Sequence, residues 1–338
     1  MSNSKGCYWC GCCELGLRVS RIGVGYPNSS LEALVDADLD TLVTALYVTT
    51  DDFLIDNPQH RPWRPKVGIT PRLDDAELVT LVVAQALLGF TSEARWLRYA
   101  RGRLHGLFPY LPTQSGYNKR VRAAAGVLRA VIGHLVARTS CSADDVWVVD
   151  STPVECGRSR ETAKRSDLAG WAEYGYCASH SRYFWGLRLH LLCTLSGLPV
   201  AFALTGAKAD ERDILLGMLD ADPNLLATHP VQTLMADKNY YGSQFEATLA
   251  DAGIELLRPA RKGEKPRAGQ HFFRPLRQVI ESINNTLKAQ LDLERHGGRT
   301  IAGVAARVLQ RILALTAAIW HNDQQGQPTL RSLTAYDH

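Results

Sequence analysis

At Asp144 the hydrophobic period of this 338-residue chain changes, and that change limits the folds open to it. Before it, apolar residues recur at intervals of three and four. Leu31, Leu34, Val35, Leu39, Leu42 and Leu46 predict a helix over 31–47, capped by Ser29 or Ser30. Residues 51–72 carry Pro58, Pro62, Pro65 and Pro71 and read as a loop or extended arm. Further helices are expected at 76–88, capped by Asp74 or Asp75, at 92–101, capped by Ser92, and at 114–139. A two-proline turn at 108–112 separates the last two. After Asp144 the pattern shortens. Val146-Trp-Val-Val149 reads as a buried strand. A polar, irregular stretch at 155–174 follows it. Strands are expected at 183–195 and 200–204 around the turn 196–199, then at 231–236 and 254–257. Helices are expected at 210–220, 243–251, 275–293 and 301–319. Three meandering strands followed by helix-linked strands give an α/β fold: a mixed five-stranded sheet with helices on both faces.

The formal net charge of +4 hides an uneven distribution. Residues 58–139 hold 13 basic and 4 acidic residues, net +9, and 256–299 hold 10 and 4, net +6. Between them, 140–255 hold 9 basic and 16 acidic residues, net −7. Basic blocks suit a polyanion, and an acidic block between them could hold divalent metal. Composition excludes wholesale disorder, with 46% hydrophobic and 21% charged residues.

Four of the eight cysteines crowd the start: Cys7, Cys10, Cys12 and Cys13. A structural zinc site usually pairs two separated ligand couples, and no second couple follows nearby. Residues 1–30 are therefore expected to be a poorly ordered leader. No apolar run is expected to span a membrane; 79–88 is the longest comparable stretch and is too short. A cytosolic protein with reduced thiols is expected.

Two aspartates follow strands directly: Asp150 after 146–149 and Asp237 after 231–236. Sites in open sheets gather outside the carboxyl ends of strands. Two acids so placed repel unless a cation lies between them, and magnesium binds through one or two carboxylates plus phosphate oxygens. Each aspartate alone could equally be a cap. On the helix 275–293, a step of about 100° per residue puts Leu276, Ile280, Ile283, Leu287 and Leu291 on one stripe. Arg277, Glu281 and Lys288 fall on an adjoining stripe. Alone, that stripe could be a solvated pair at i, i+4. With the two aspartates, Glu281 makes three carboxylates, which can hold two metals for attack on a phosphodiester.

In these residues the chain resembles the DDE transposases of bacterial insertion sequences, whose catalytic domain has the RNase H-like (retroviral integrase) fold. The likeness spans roughly 31–322. Its first motif, Asp-Ser-x-Pro-Val followed by Cys, stands here as Asp150-Ser-Thr-Pro-Val154-Glu-Cys156. Its second, Asp-Lys-Gly-Tyr, stands as Asp237-Lys238-Asn239-Tyr240. Its third stands as Arg277, Glu281 and Lys288. Tyr174-Gly175, Gly186-Leu-Arg-Leu-His190, Ala207-x-x-Asp210-Glu211 and Leu293-Glu-Arg-His-Gly-Gly-Arg-Thr300 also match. Asn239 replaces the usual glycine; asparagine tolerates the same left-handed backbone. Arg274 stands where related groups have tyrosine.

The resemblance implies a DNA transposase that binds the terminal inverted repeats of an insertion sequence and performs metal-dependent strand cleavage and transfer. Asp150, Asp237 and Glu281 would be catalytic and would bind two Mg2+ (or Mn2+) ions. Arg277, Lys288 and Lys238 would hold DNA. The expected organisation is a leader at 1–30, an all-helical DNA-binding domain at 31–139, an RNase H-like catalytic domain at 140–322 and a polar tail at 323–338. Lys119, Arg120 and Arg122, beside Tyr117, are the expected phosphate contacts of the helical domain. Ser151, Tyr240 and Tyr241 are expected to pack or touch phosphate rather than act as nucleophiles, and His190 to be a satisfied core histidine. The expected partners are double-stranded DNA, both transposon ends and target, and further copies of the chain assembled on it. The expected location is the bacterial cytoplasm, with the nucleoid. Two alternatives share the fold: a structure-selective nuclease, and an inactive DNA-binding derivative of a transposase.

Overall fold

The computed structural model describes residues 39–64, 67–177, 181–229, 231–267, 273–329 and 333. They lie within one compact unit, Asp36–His338. The expected leader, its cysteines and the cap at Ser29 or Ser30 lie outside the described residues.

The first part is helical: α1 (Leu39–Asp56), α2 (Asp75–Leu87), α3 (Glu93–Arg103), α4 (Gln114–Ala123) and α5 (Ala125–Ala137). α1 runs past the expected end into the stretch read as a loop. The first proline is Pro58, and Leu54 continues the buried stripe of Leu42, Val43 and Leu46 while the acids beside it stay outward. α2 begins on a full capping box: Asp74 accepts from the Glu77 N–H at 2.6 Å and Glu77 accepts from the Asp74 N–H at 2.7 Å. The expected helix 114–139 is two helices, broken at Ala124, whose ψ of 5° leaves the helical path.

The second part runs β1 (Val146–Gly157), α6 (Arg160–Arg165), β2 (Glu173–Cys177), β3 (Arg182–Thr194), β4 (Pro199–Gly206), α7 (Glu211–Ala221), α8 (Pro223–Ala227), β5 (Gln232–Met235), α9 (Ser243–Asp251), β6 (Ile254–Leu257), α10 (Phe273–Asn285) and α11 (Ile301–Gln324). The sheet order is β2-β3-β1-β5-β6, with β4 also on β3. β3 pairs antiparallel with β1, β2 and β4, whereas β1, β5 and β6 are parallel. This mixed α/β sheet, flanked by helices and preceded by a helical region, is consistent with the RNase H-like transposase fold. It has six strands rather than five. β2 and β4 share one edge of β3, β2 along Arg182–Gly186 and β4 along Leu187–Cys193.

Alternation divides the core. Trp147 and Val149 of β1 point toward α7 and α9 and pack with Leu215, Met218, Phe245 and Leu249. Val148 and Val154 point the other way, into a core shared with Ile283 and Leu287 of the α10 segment and with α11. That core also contains Leu42, Leu46, Val79, Val82, Leu128, Val131 and Leu135 of the helical part. α11 packs on α5, α2, α1 and α4 as well as on β4, so it is buried nearly all round. By length and mean hydropathy, 1.4 over 18 residues, α11 could cross a membrane, contrary to the sequence expectation. However, 72% of that window is buried inside the protein, so it is the core helix. Its polar residues pair in the interior: Arg307 with Glu93, and Gln310 Nε2 on the Val82 carbonyl at 2.7 Å; beside them the α4 Tyr117 hydroxyl donates to Oε1 of Gln85 in α2 at 2.8 Å.

Candidate active site

β1 does not end at Val149. It continues through Asp150 to Gly157, so Asp150 lies within the strand rather than at its carboxyl end. The parallel ladder with β5, however, ends at Val148 opposite Met235. Asp150 and Asp237 each stand two residues beyond that last pair, Asp150 still within β1 and Asp237 past the end of β5. There the Asp237 charge acts on the Asp150 carboxyl, so the two acids lie within electrostatic range of each other.

α10 closes this place from the face that carries Val148. Asn284 donates from Nδ2 to Asp150 Oδ2 at 2.8 Å. Glu281 lies three residues earlier on the same helix, about one turn away, and is exposed. The helix does not run on to 293 as expected. It gives way to a π turn at Thr286–Gln290, closed by the Leu291 N–H on the Thr286 carbonyl at 3.0 Å. Lys288 lies within this turn and is half-buried, whereas Glu281 is exposed. Of the Arg277 side chain nothing is described.

The opposite face of β1 holds a second group. Ser151 donates to Glu211, the first residue of α7, and Arg188 of β3 bonds both: Nη1 to Ser151 Oγ at 2.9 Å and to Glu211 Oε1 at 3.1 Å. Burial is the first cause that raises the Asp150 carboxyl from 3.8 to about 6; the Glu211 and Asp237 charges add to it, and the bonds from the Ser151 N–H and Asn284 oppose it. Asp237 is exposed and accepts from Asn239 Nδ2 at 3.2 Å. Tyr240 is buried beneath them. Its hydroxyl is held protonated, first by burial and then by Glu211, Asp150 and Asp237. His190 is buried with Nε2 on Thr205 Oγ1 at 2.9 Å, and burial lowers it to about 4; it is a core residue, but its buried Nδ1 has no hydrogen-bond partner among the described residues, so it is not fully satisfied as expected. Tyr241 lies under Arg261, 3.6 Å from the ring centroid.

The segment after the third motif serves the fold. His296 Nε2 meets the Glu155 carbonyl at 3.1 Å, at the β1 bulge. Thr300 caps α11, accepting from the Gly303 N–H at 3.1 Å. A Cβ on Gly298 would come within 2.7 Å of the Val304 nitrogen, so only glycine fits there.

A family description, Transposase DDE domain, matches residues 142–317. The chain belongs to the DDE transposase family. A Burkholderia cepacia protein that carries the name of transposase for insertion sequence element IS402 is 31% identical over 114 residues, covering 28% of this chain and 54% of that protein. The chain thus spans about half the length of that curated relative. Among the described residues of this DDE transposase, no group of three or more His, Cys, Asp or Glu side chains is drawn together as a metal site. The structure brings Asp150 and Asp237 within electrostatic range of each other and of Glu211; Glu281 is one turn from the Asn284 contact.

Sequence reasoning missed Arg188, Glu211 and Asn284 as site residues. The first two lay inside stretches matched only as sheet region. A polar residue on a helix, like Asn284, carries no spacing signal of its own.

The expected DNA contacts divide. Lys238 beside Asp237 is exposed, as are Lys119 and Arg122 on α4. Arg120 is half-buried and committed inward, to the Leu73 carbonyl, to the Asp74 carbonyl at 3.1 Å and to Asp75 at 3.0 Å. It straps α4 to the start of α2. Replacing Arg120 with alanine is expected to cost about 2 kcal/mol of stability, measured by denaturant unfolding, with little loss of DNA affinity in the molecules that remain folded. Replacing Lys119 and Arg122 is expected to do the reverse.

Proposed function

We propose that this chain is a DNA transposase that binds the terminal inverted repeats of an insertion sequence and cuts and joins DNA strands with divalent metal. The electrostatic proximity of Asp150 and Asp237 beyond the β1–β5 ladder supports this reading, together with the family membership. Asp150 fits a cation site: its carboxyl is held near 6 by burial and by two neighbouring acids, the condition of an acid group short of positive charge. Asp150 and Asp237 would hold the metal, with Glu281 of α10 completing the set. Two bound ions, Mg2+ or Mn2+, would activate the attacking oxygen and stabilise the leaving one at a phosphodiester.

The remaining work falls to the chain's own groups. Asn284 fixes the direction of the Asp150 carboxylate and ties α10 to β1. Arg188 pins Glu211 and neutralises part of its charge. Tyr240 fills the space below the acids and keeps its proton, so it is no nucleophile toward DNA. Lys238, Lys288 and Arg277 would take the phosphates of the cut strand, and Lys119 and Arg122 those of the repeat. Double-stranded transposon ends and target DNA would be the partners, with further copies of the chain assembled on them.

Purified protein incubated with labelled repeat-end DNA and magnesium tests this. Cleaved and joined products are expected. Cleavage without joining would instead make the chain a nuclease. Binding without cleavage would make it an inactive DNA-binding derivative. If Glu281→Ala gave products at the normal rate, the third acid would be wrongly assigned.

A further inference from the structure

A solvent-open cleft of about 540 Å³ lies between α6 and the β2–β3 ribbon, away from the acids. Arg160, Ala163, Lys164, Gly170, Tyr174 and Trp185 line it. Its size fits a single small ligand. Arg160 and Lys164, at i and i+4, lie on one face of α6. Lys164 makes only a surface pair, with Glu161 at 3.8 Å, and Arg160 makes no ion pair among the described residues. The far wall is aromatic. Tyr174 pairs directly with Trp185, and Tyr176 with Tyr183. Directly opposed residues share a face, and alternation puts all four rings on the face of Leu187, Leu189 and Leu191. Leu191 pairs with Asp150, so the rings share the face of the Asp150 carboxylate. Three of these tyrosines stand in water: Tyr174 is 52% exposed, Tyr176 47% and Tyr183 78%. Tyr176 and Tyr183 pack on each other, with ring centroids 5.1 Å apart, so the bare ring beside Arg160 and Lys164 is Tyr174, which can take a partner with a flat face and negative charge.

We infer that this cleft binds an unpaired nucleotide of the DNA substrate, its base stacked on the exposed Tyr174 ring, with the buried Trp185 as the floor beneath it, and its phosphate held by Arg160 and Lys164. The inference rests on the reading of the chain as a DNA-acting enzyme. A base stacks on an aromatic ring whatever its identity, so the site takes single-stranded character rather than sequence. On β3, Trp185 stands six residues from Leu191, the partner of Asp150. At about 3.3 Å per residue that is roughly 20 Å. One strand advances about 3.4 Å per nucleotide. The unpaired position therefore lies about six nucleotides from the phosphate at the acids.

The test measures binding of the full chain to two fluorescent DNAs: a fully paired duplex, and the same duplex with a short run of unpaired thymidines. The wild type is expected to prefer the second. Tyr174→Ala is expected to lose about tenfold in affinity for it, the scale of one base–aromatic stack, with duplex binding unchanged. Tyr174→Phe is expected to keep the preference. Should Tyr174→Ala fail to fold, the Arg160→Ala, Lys164→Ala double variant reads the same site through selective loss on the gapped DNA. No wild-type preference, or a preference that survives Tyr174→Ala, overturns the inference. The two readings fail separately: a protein that cuts and joins DNA without the preference refutes the cleft alone. One that shows the Tyr174-dependent preference but cuts nothing refutes only the transposase. A protein that binds neither DNA refutes both.

Discussion

Replacing Asp150 with asparagine is expected to abolish DNA cleavage and, in the same protein, to raise the melting temperature at neutral pH. The two effects share one cause. The folded protein holds the Asp150 carboxyl near pH 6, against 3.8 for the ordinary group. Above pH 6 the charge is present in both folded and unfolded chains, and folding must desolvate it beside Glu211 and Asp237. As pH falls from about 6 to about 4 the folded chain takes up a proton that the unfolded chain does not, so this residue adds stability on acidification. The difference corresponds to roughly 3 kcal/mol at neutral pH. Asparagine keeps an oxygen for the Asn284 amide and removes the charge. Thermal unfolding should show a gain of roughly 5 °C at pH 7. That gain should shrink toward pH 4 and shrink again when magnesium is added to both proteins. A variant that melts below the wild type at pH 7 without metal would refute the strain assigned to this carboxylate.

Residues 140–338 produced without the helical part are expected not to fold. The sequence pattern suggests a natural cut there, because the period changes at Asp144. The packing shows none. From Ile312 to Asn322 every residue of α11 is buried, and Val131, Leu135, Val79 and Leu42 supply one side of that burial. Without them, α11 would present a wide apolar surface, and Gln310 would lose the Val82 carbonyl. The fragment should bind hydrophobic dyes, lose sharp thermal unfolding and precipitate. Supplying residues 39–139 as a second chain should rescue part of it. A fragment that melts cooperatively alone would show that α5 and α2 are dispensable neighbours.

Much of this architecture is legible in the residues. The periods of three and four, the capping box at Asp74 and the apolar runs at β1 and β5 report local chemistry, and local chemistry is what a sequence displays. The misreadings come from long-range effects. The apolar run marks β1 only to Val149, but the strand continues to Gly157; Pro153 is tolerated there because β5 leaves after Val148 and the strand has a neighbour on one side only. β2 was hidden by its exposed tyrosines, which look like loop. The π turn at Thr286–Gln290 interrupts the fixed 100° count that placed Lys288, and no local signal in the sequence marks such a turn. Asp150 and Asp237 were visible as acids after apolar runs, but their meeting depends on a register that only pairing defines.

The burial of α11 also sets a timetable. Its partners in α5 end at Ala137, and α11 begins at Ile301. During synthesis at about 5–20 residues per second, α5 emerges roughly 10–30 s before the helix that covers it. For that interval Val131, Leu135 and the sheet face around Leu189 have no permanent lid. Such a protein completes this core only once α11 has been made, well after α5. Its yield in a cell would then depend on chaperones that shield the waiting surface more than on the stability of the finished fold.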